Sequence, residues 1–187
     1  MIVRLFSRRD DRIEGAFEPA EAQMLLDLVG QVRTLLAHRR DEVPSDPLAE
    51  LTGLTVGPST APADPAVARL LPDLHREDPR LSAGMRMLRE PEVLAAKDDA
   101  AVALIRSLPM VGGHVRLTEA TARSWLVALN DVRLVFGVRL DITDDVEPPA
   151  AATADRDGPE YAMYLTYRWL STVQESLIDA LAEEGPA

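Results

Sequence analysis

The segment TEATARSWLVALNDVRLVFG, residues 118–137, decides the fold class of this 187-residue chain. Its large apolar side chains recur every three or four residues and form one stripe, made of Trp125, Leu129, Val132 and Phe136. Such a stripe predicts a helix that buries one face against the rest of the protein. Thr118 can cap the first turn of this helix through its hydroxyl group, and Gly137 marks its end.

Two longer segments have the same periodicity. The apolar residues at helical spacing in 19–40 are Leu25, Leu28, Val29, Val32, Leu35 and Leu36, and those in 159–184 are Tyr161, Leu165, Trp169, Val173, Leu177 and Leu181. Both segments begin with a proline, which suits the first helical position because the missing N–H would have no helical acceptor there. We therefore predict a long first helix and a long last helix.

An acidic or small residue followed by proline recurs between these segments, at Asp64-Pro65, Asp78-Pro79, Glu90-Pro91 and Gly158-Pro159. A carboxylate in this position can accept hydrogen bonds from the free N–H groups of a first helical turn. The pattern predicts short helices at about 65–74 and 79–89, a longer helix at about 91–107, and the start of the last helix.

The N-terminal residues alternate in a way that is typical of a strand. Residues 2–6 and 13–17 predict a β-hairpin, with the polar stretch 7–12 as its turn. Residues 114–117 follow a Gly-Gly pair and could add a third short strand. The predicted fold is mostly α, a helical bundle with a small N-terminal β-hairpin. We expect one domain, 1–187, that contains loops at 41–64 and 141–158 and a helical turn near 47–54.

Composition excludes several kinds of site. The chain has no cysteine, so disulfides, thiol nucleophiles and Cys-type zinc sites are ruled out. The net charge of −11 repels a phosphate backbone. A basic patch at the hairpin is only weak evidence for nucleic-acid contact; its arginines would be Arg4, Arg8, Arg9 and Arg12, beside Arg39 and Arg40. No apolar run is long enough for a signal peptide or a membrane span, so we expect a cytoplasmic protein.

Motifs that carry chemistry are missing from the sequence. It has no nucleophile elbow, phosphate-binding glycine loop or dinucleotide fingerprint. The histidines, His38, His75 and His114, are scattered and lack the spacing of a metal site. We therefore predict no catalytic residue, no cofactor and no metal, and we expect the protein to act by binding.

Two polar groups interrupt the apolar pattern. One lies at 69–78 and the other at 130–133, and their members are Arg69, Asp73, Arg76, Asp78, Asn130, Asp131 and Arg133. Arginine–carboxylate pairs can hold neighbouring helices together, and an unpaired buried charge is costly. We favour a structural network over the alternative, a recognition surface.

Three stretches of the chain carry a family resemblance: DPAVARLLPD at 64–73 with HRED at 75–78, WLVALNDVRL at 125–134 with GVRL at 137–140, and residues 164–177 with WL at 169–170 and QE at 174–175. In these stretches the sequence resembles an actinobacterial family of unknown function that includes the oxidative-stress transcriptional regulator AosR. Together with the hairpin and the first helix, the resemblance covers nearly the whole chain.

The resemblance implies a regulator that partners a stress sigma factor or RNA polymerase and supports transcription of genes for thiol supply. DNA contact is then expected only together with a partner, and the aromatic residues of the last helix could serve a homodimer. Sensing in that relative is attributed to two cysteines, so no such switch is implied here, although methionines at 24, 85, 87, 110 and 163 could oxidise. Gene neighbourhood in the family implies an alternative, an adaptor or scaffold linked to Clp proteolysis.

Overall fold

The computed structural model describes residues 6–42, 56–75, 77–142 and 155–183. Within them the chain forms β1 (Phe6–Arg9), β2 (Arg12–Phe17), α1 (Pro19–Asp41), α2 (Pro65–Leu70), α3 (Pro79–Ser107), β3 (Gly113–Leu117), α4 (Glu119–Arg139) and α5 (Pro159–Ala182). These elements confirm the predicted fold class, mostly helical with a small N-terminal sheet. Among the described residues, no helix has the length and apolar character needed to cross a membrane.

Some predictions concern residues outside these ranges. They are the first part of the hairpin at 2–5, the helical turn near 47–54 and most of the acidic loop at 141–158. The described part of the other loop, 56–64, contains neither helix nor strand. The single domain stays a prediction.

The three strands form one antiparallel sheet in the order β1-β2-β3. Phe6 lies opposite Gly15 in the hairpin, and Ile13 lies opposite Leu117 in the second pair. The pairing confirms the hairpin and the third strand. The predicted turn at 7–12 was too long, because Arg9 already pairs with Arg12.

Asp10 and Asp11 alone connect β1 to β2. Asp10 takes a positive φ of 53°, a conformation that aspartate tolerates better than most residues because its short side chain can bond locally. A two-residue connection is the commonest way to join antiparallel strands. The other residues of the predicted turn, 7–9 and 12, therefore belong to the strands.

Capping carboxylates start two of the helices, as the sequence predicted. Asp64 accepts hydrogen bonds from the N–H groups of Ala66 and Val67 at the start of α2, and Asp78 caps α3 in the same way. Helix α2 ends at Leu70 rather than near residue 74. Pro72 explains the early end, since the residue before a proline disfavours the helical conformation.

Helix α3 is one continuous helix of 29 residues, so the prediction of two helices that meet at Glu90-Pro91 was wrong. Pro91 has no N–H to give to the carbonyl of Met87, four residues earlier. The N–H of Gly57 donates to that carbonyl instead, at 2.7 Å. An added Cβ at Gly57 would lie 3.0 Å from Cδ of Pro91, so glycine allows this close approach.

Helix α4 lies at the centre of the fold and packs against α1, α2, α3, α5 and the sheet. Trp125 is completely buried, with its ring centroid 5.8 Å from that of Phe6 and 5.7 Å from that of Phe17. Its indole N–H donates to the hydroxyl of Ser107 at 2.8 Å. The tryptophan therefore joins the sheet to α3 and α4.

Two glycines should respond in opposite ways to substitution by alanine. Gly112 has a φ of +73°, and a Cβ there would lie 2.7 Å from the carbonyl oxygen of Phe17. Gly84 lies on the exposed side of α3, where a Cβ would meet nothing within 4 Å. We expect Gly112→Ala to lower the free energy of unfolding by about 2 kcal/mol or more. Gly84→Ala should raise it by about 0.5 to 1 kcal/mol.

Urea denaturation of the two variants beside the native protein measures both effects. A Gly112→Ala protein as stable as the native one would contradict the close approach of residues 112 and 17.

Candidate functional site

The predicted polar residues do not form one cluster. Asp73 joins a buried ionic network on α3, Asp131 pairs with Lys97, and Arg133 bonds to α5. Asp78 caps α3, Asn130 is half-buried, and Arg69 is exposed. Arg76 lies outside the described residues.

The ionic network connects α1 to α3. Nε of Arg39 donates to Glu90 at 2.7 Å, and Arg86 donates to the other oxygen of the same carboxylate at 2.7 Å. Arg86 also donates to Asp73 at 2.7 Å, and the hydroxyl of Ser82 donates to Asp73 at 3.1 Å. Glu90 thus lies between two guanidinium groups in an Arg–Glu–Arg triad.

The triad is buried. The side chains of Arg39, Arg86 and Glu90 are 2%, 5% and 3% exposed. Burial alone would lower the pKa of Arg39, but hydrogen bonds and charge interactions with Glu90 and Glu42 outweigh it, so the pKa of Arg39 is raised. The two guanidinium groups compensate the negative charge of the buried carboxylate between them.

Backbone carbonyls complete the network. The guanidinium of Arg39 donates to the carbonyl of Thr60, and that of Arg86 donates to the carbonyl of Leu71 at 3.1 Å. The loop at 56–64 is therefore held against α1, and the segment after α2 is held against α3. The triad orders irregular chain by supplying donors to carbonyls that no helix or strand satisfies.

Sequence reasoning missed all three residues of the triad. Arg39 was assigned to a basic patch with the hairpin, yet it lies at the far end of α1 and is buried. Glu90 was interpreted as the start of a helix because Pro91 follows it. A usable signal was the Arg86–Glu90 spacing of four residues, which places both on one helix face.

The arginines of the described hairpin are also engaged. Nε of Arg8 donates to the carbonyl of Ala180 and an Nη to that of Leu181, both at 3.3 Å, so Arg8 caps the end of α5. Arg9 pairs with Glu14, and Arg12 pairs with Asp11. The described arginines of the hairpin are therefore paired within the fold, Arg4 lies outside the described residues, and the buried Arg39 is not part of the patch.

Lys97, the only lysine of the chain, pairs with Asp131. Its Nζ donates to the carboxylate at 2.6 Å, and the two side chains are 15% and 4% exposed. Beside them Arg33 makes two hydrogen bonds to Asp98, at 2.8 and 3.3 Å. These pairs line a cavity of about 20 Å³ between α1, α3 and α4, which has room for about one water molecule.

The carboxyls of Asp131 and Asp98 have pKa values shifted in opposite directions. Burial raises the pKa of Asp131 above 3.8 and outweighs the interaction with Lys97, which lowers it. The hydrogen bond from Arg33 lowers the pKa of Asp98. A carboxyl with a raised pKa binds its proton more tightly in the folded protein than in the unfolded chain.

The stability difference between the native protein and Asp131→Asn should therefore depend on pH. The contribution of Asp131 to folding is fully present below the unfolded pKa of 3.8 and is lost as the pH rises through the higher folded value. The free energy of unfolding of the native protein should therefore rise relative to that of Asp131→Asn as the pH falls from 7 to about 4. Urea denaturation at several pH values measures this.

Asp98→Asn provides the control. Its lowered pKa means that its contribution is present above 3.8 and lost only below that value, so the corresponding difference should stay level down to about pH 4. A difference for Asp131→Asn that shrinks as the pH falls would contradict the raised pKa.

Arg133 connects α4 to α5. It donates to the hydroxyl of Ser171 at 3.0 Å and to the side-chain oxygen of Gln174 at 2.8 Å. Its guanidinium carbon lies 5.2 Å from the ring centroid of Tyr167, within the range of a cation–π interaction. In the last helix, Trp169 packs partly against the core and donates to Glu21 at 3.3 Å.

The domain of unknown function DUF2017 matches residues 3–181, nearly the whole chain. The chain belongs to this family. Proteins named oxidative stress regulator AosR, from Mycobacterium tuberculosis (strain ATCC 25618 / H37Rv) and Mycobacterium bovis, are 36% identical over 188 residues. The alignment covers 94% of this chain and 84% of theirs. A putative oxidative stress regulator AosR from Mycobacterium leprae is 35% identical, with 95% and 86% covered.

No solved structure matches this DUF2017 chain. The described residues, which include all three histidines, contain no group of three or more His, Asp or Glu side chains placed to hold a metal. A groove of about 270 Å³ between α1, α4 and α5 is mainly apolar, lined by residues such as Leu28, Leu35, Phe136 and Met163. Arg139 at this groove already pairs with Asp64 at 2.6 Å.

Proposed function

We propose that this DUF2017 protein is a non-enzymatic regulator of the oxidative-stress response that acts on transcription through a protein partner, a sigma factor or RNA polymerase. The observation that carries the proposal is similarity over 94% of the chain to proteins named oxidative stress regulator. The coverage of 84% of those relatives means that the likeness is not limited to a shared module. We expect the protein to act in the cytoplasm.

The electrostatics of the chain favour a protein partner over unaided DNA binding. A net charge of −11 repels the phosphate backbone, and a protein that binds DNA by itself usually presents a basic face. Arg8, Arg9 and Arg12 are engaged in hydrogen bonds or ion pairs within the fold. We therefore infer that any DNA contact depends on the partner.

The chemistry of the buried network favours a structural role over a catalytic one. Glu90 is buried, and its two oxygens accept hydrogen bonds from two guanidinium groups, so the carboxylate is shielded from a substrate. Arginine stays protonated at physiological pH and cannot exchange protons with a substrate. The role we assign to the triad is to fix the loop at 56–64 and the segment 71–73 on the protein surface.

Affinity capture from the native host tests the proposal. The tagged full-length chain, expressed at its normal level, should enrich a sigma factor or RNA polymerase subunits over a tag-only bait, before or after peroxide treatment. A purified partner should then co-elute with the chain in gel filtration. Absence of every polymerase and sigma component in both conditions would overturn the proposal.

The same experiment separates the alternative linked to Clp proteolysis. An adaptor would enrich Clp components, and deleting its gene would change the turnover of Clp substrates. Transcripts for thiol supply should respond to deletion under the proposed function. Under the adaptor alternative, these transcripts should change only where altered Clp proteolysis changes the level of a transcription regulator.

A further inference from the structure

The turn between α3 and β3 presents two apolar side chains to solvent. Met110 is 75% exposed and Val111 is 79% exposed, more than any other large hydrophobic residue that the structure describes. Isolated apolar residues on a surface are common, but two neighbours at the tip of a turn are a small, defined apolar feature. Core packing does not account for either side chain.

Both ends of this turn are anchored. Leu108 is buried, and its N–H donates to the carbonyl of Leu104 at 3.0 Å. Gly112 donates to the carbonyl of Pro109 at 3.0 Å and lies so close to residues 17–19 that a Cβ would collide with their backbone. Met110 and Val111 lie between these anchors and are therefore held out at a fixed position.

The methionines of the described ranges differ in exposure. Met163 is 36% exposed and lines the groove between α1, α4 and α5, while Met24, Met85 and Met87 are half-buried. A thioether reacts with an oxidant that reaches its sulfur, so exposure decides the order of reaction. Met110 is the most exposed of these five methionines.

We propose that Met110 is an oxidation site of this chain, converted to methionine sulfoxide by peroxide-class oxidants, and that the change alters the apolar tip it forms with Val111. This inference rests on the proposed function, which supplies the oxidising conditions. The chain has no cysteine, so a reversible two-electron oxidation of a side-chain sulfur must take place on methionine.

The reaction balances without a cofactor. A lone pair on the sulfur attacks one oxygen of hydrogen peroxide, the O–O bond breaks, and an S–O bond forms. The other oxygen leaves as hydroxide and takes up the proton of the transferred oxygen, so the products are sulfoxide and water. A dithiol-dependent sulfoxide reductase reverses the step, oxidising two thiols to a disulfide and releasing water.

Oxidation at this position changes the surface and spares the core. The sulfoxide is polar and accepts hydrogen bonds, so it replaces an apolar contact with a hydrated group. Because Met110 is outside the core, the fold should keep its stability. Oxidation of Met24, Met85 or Met87 would instead place a polar group in a partly buried position.

Peptide mass spectrometry of the purified full-length chain during mild peroxide treatment tests the site. We expect sulfoxide to form about twofold faster at Met110 than at Met163, because Met110 is about twice as exposed. The rates at residues 24, 85 and 87, which are half-buried, should be lower than both. The thermal midpoint should stay unchanged while Met110 alone is oxidised, and sulfoxide reductases for both epimers, added together, should restore the thioether. Earlier oxidation at another of these methionines, or unfolding on oxidation of Met110, would overturn the proposal.

Matched variants test the consequence. Met110→Leu keeps the apolar volume and cannot form a sulfoxide, Met163→Leu is the control, and Met110→Gln imitates the polar product. Peroxide should change partner capture for the native chain and for Met163→Leu, but not for Met110→Leu. Met110→Gln should show the same change in partner capture without peroxide. Equal peroxide responses of Met110→Leu and the native chain would overturn the proposal and leave the proposed function standing. Capture of no partner by any variant would contradict the proposed function, and the mass spectrometry alone would then decide on Met110.

Discussion

Replacing Glu90 with glutamine is expected to lower the free energy of unfolding by about 3 to 5 kcal/mol, because it leaves two buried guanidinium groups without the charge between them. Glu90 is 3% exposed and bonds both Arg39 and Arg86. The variant keeps the shape of the side chain, so the loss would come from charge and hydrogen bonding. A domain is commonly stable by only about 5 to 15 kcal/mol, so the effect would be large.

Glu92→Gln is the matched control for this prediction. Glu92 lies two residues further along α3, is 72% exposed and pairs with Arg89 at 2.9 Å. An exposed ion pair of this kind contributes less than about 1 kcal/mol. Urea denaturation monitored by circular dichroism compares the two variants. Similar midpoints for Glu90→Gln and Glu92→Gln would show that the triad does not stabilise the fold.

Trp125→Ala should cost about 3 to 5 kcal/mol through loss of buried area and the cavity it leaves. The indole is fully buried and packs against Phe6 and Phe17 from the sheet. The same substitution removes the hydrogen bond to Ser107. We expect the near-ultraviolet circular dichroism signal to weaken together with the urea midpoint, because the aromatic contacts are lost.

Val127→Ala, on the same helix, separates burial from helix effects. Val127 is 43% exposed, and its truncation should change stability by no more than about 0.5 kcal/mol. If the valine variant were as destabilised as the tryptophan variant, α4 would not occupy the centre of the core as described.

Periodicity was a reliable guide to α1, α4 and α5. Their apolar residues repeat at helical spacing over about three turns in α1 and α4 and more than five turns in α5, and patterns of that length have few alternatives. The capping carboxylates Asp64 and Asp78 located two further starts within a residue. Local chemistry decides these features, because a cap bonds to the N–H groups of the next few residues.

The predicted polar residues had mixed outcomes. Asp73 and Asp131 each pair with a cation on α3, and Arg133 bonds across to α5, but these are three separate places. The partners Arg86 and Lys97 were not predicted. Residues distant along the chain choose one another only when helices pack, and spacing within a helix carries no information about that choice.

The sequence alone determined that the chain folds as a mainly helical protein with an N-terminal hairpin, because apolar periodicity and caps act over a few residues. Tertiary structure alone decided that α3 runs through Pro91, since the N–H of Gly57 replaces the hydrogen bond that proline cannot make. It also decided that Arg39 is buried against Glu90, 51 residues away in the chain. A buried charge requires a partner, and only the packing of α1 on α3 brings that partner within 3 Å.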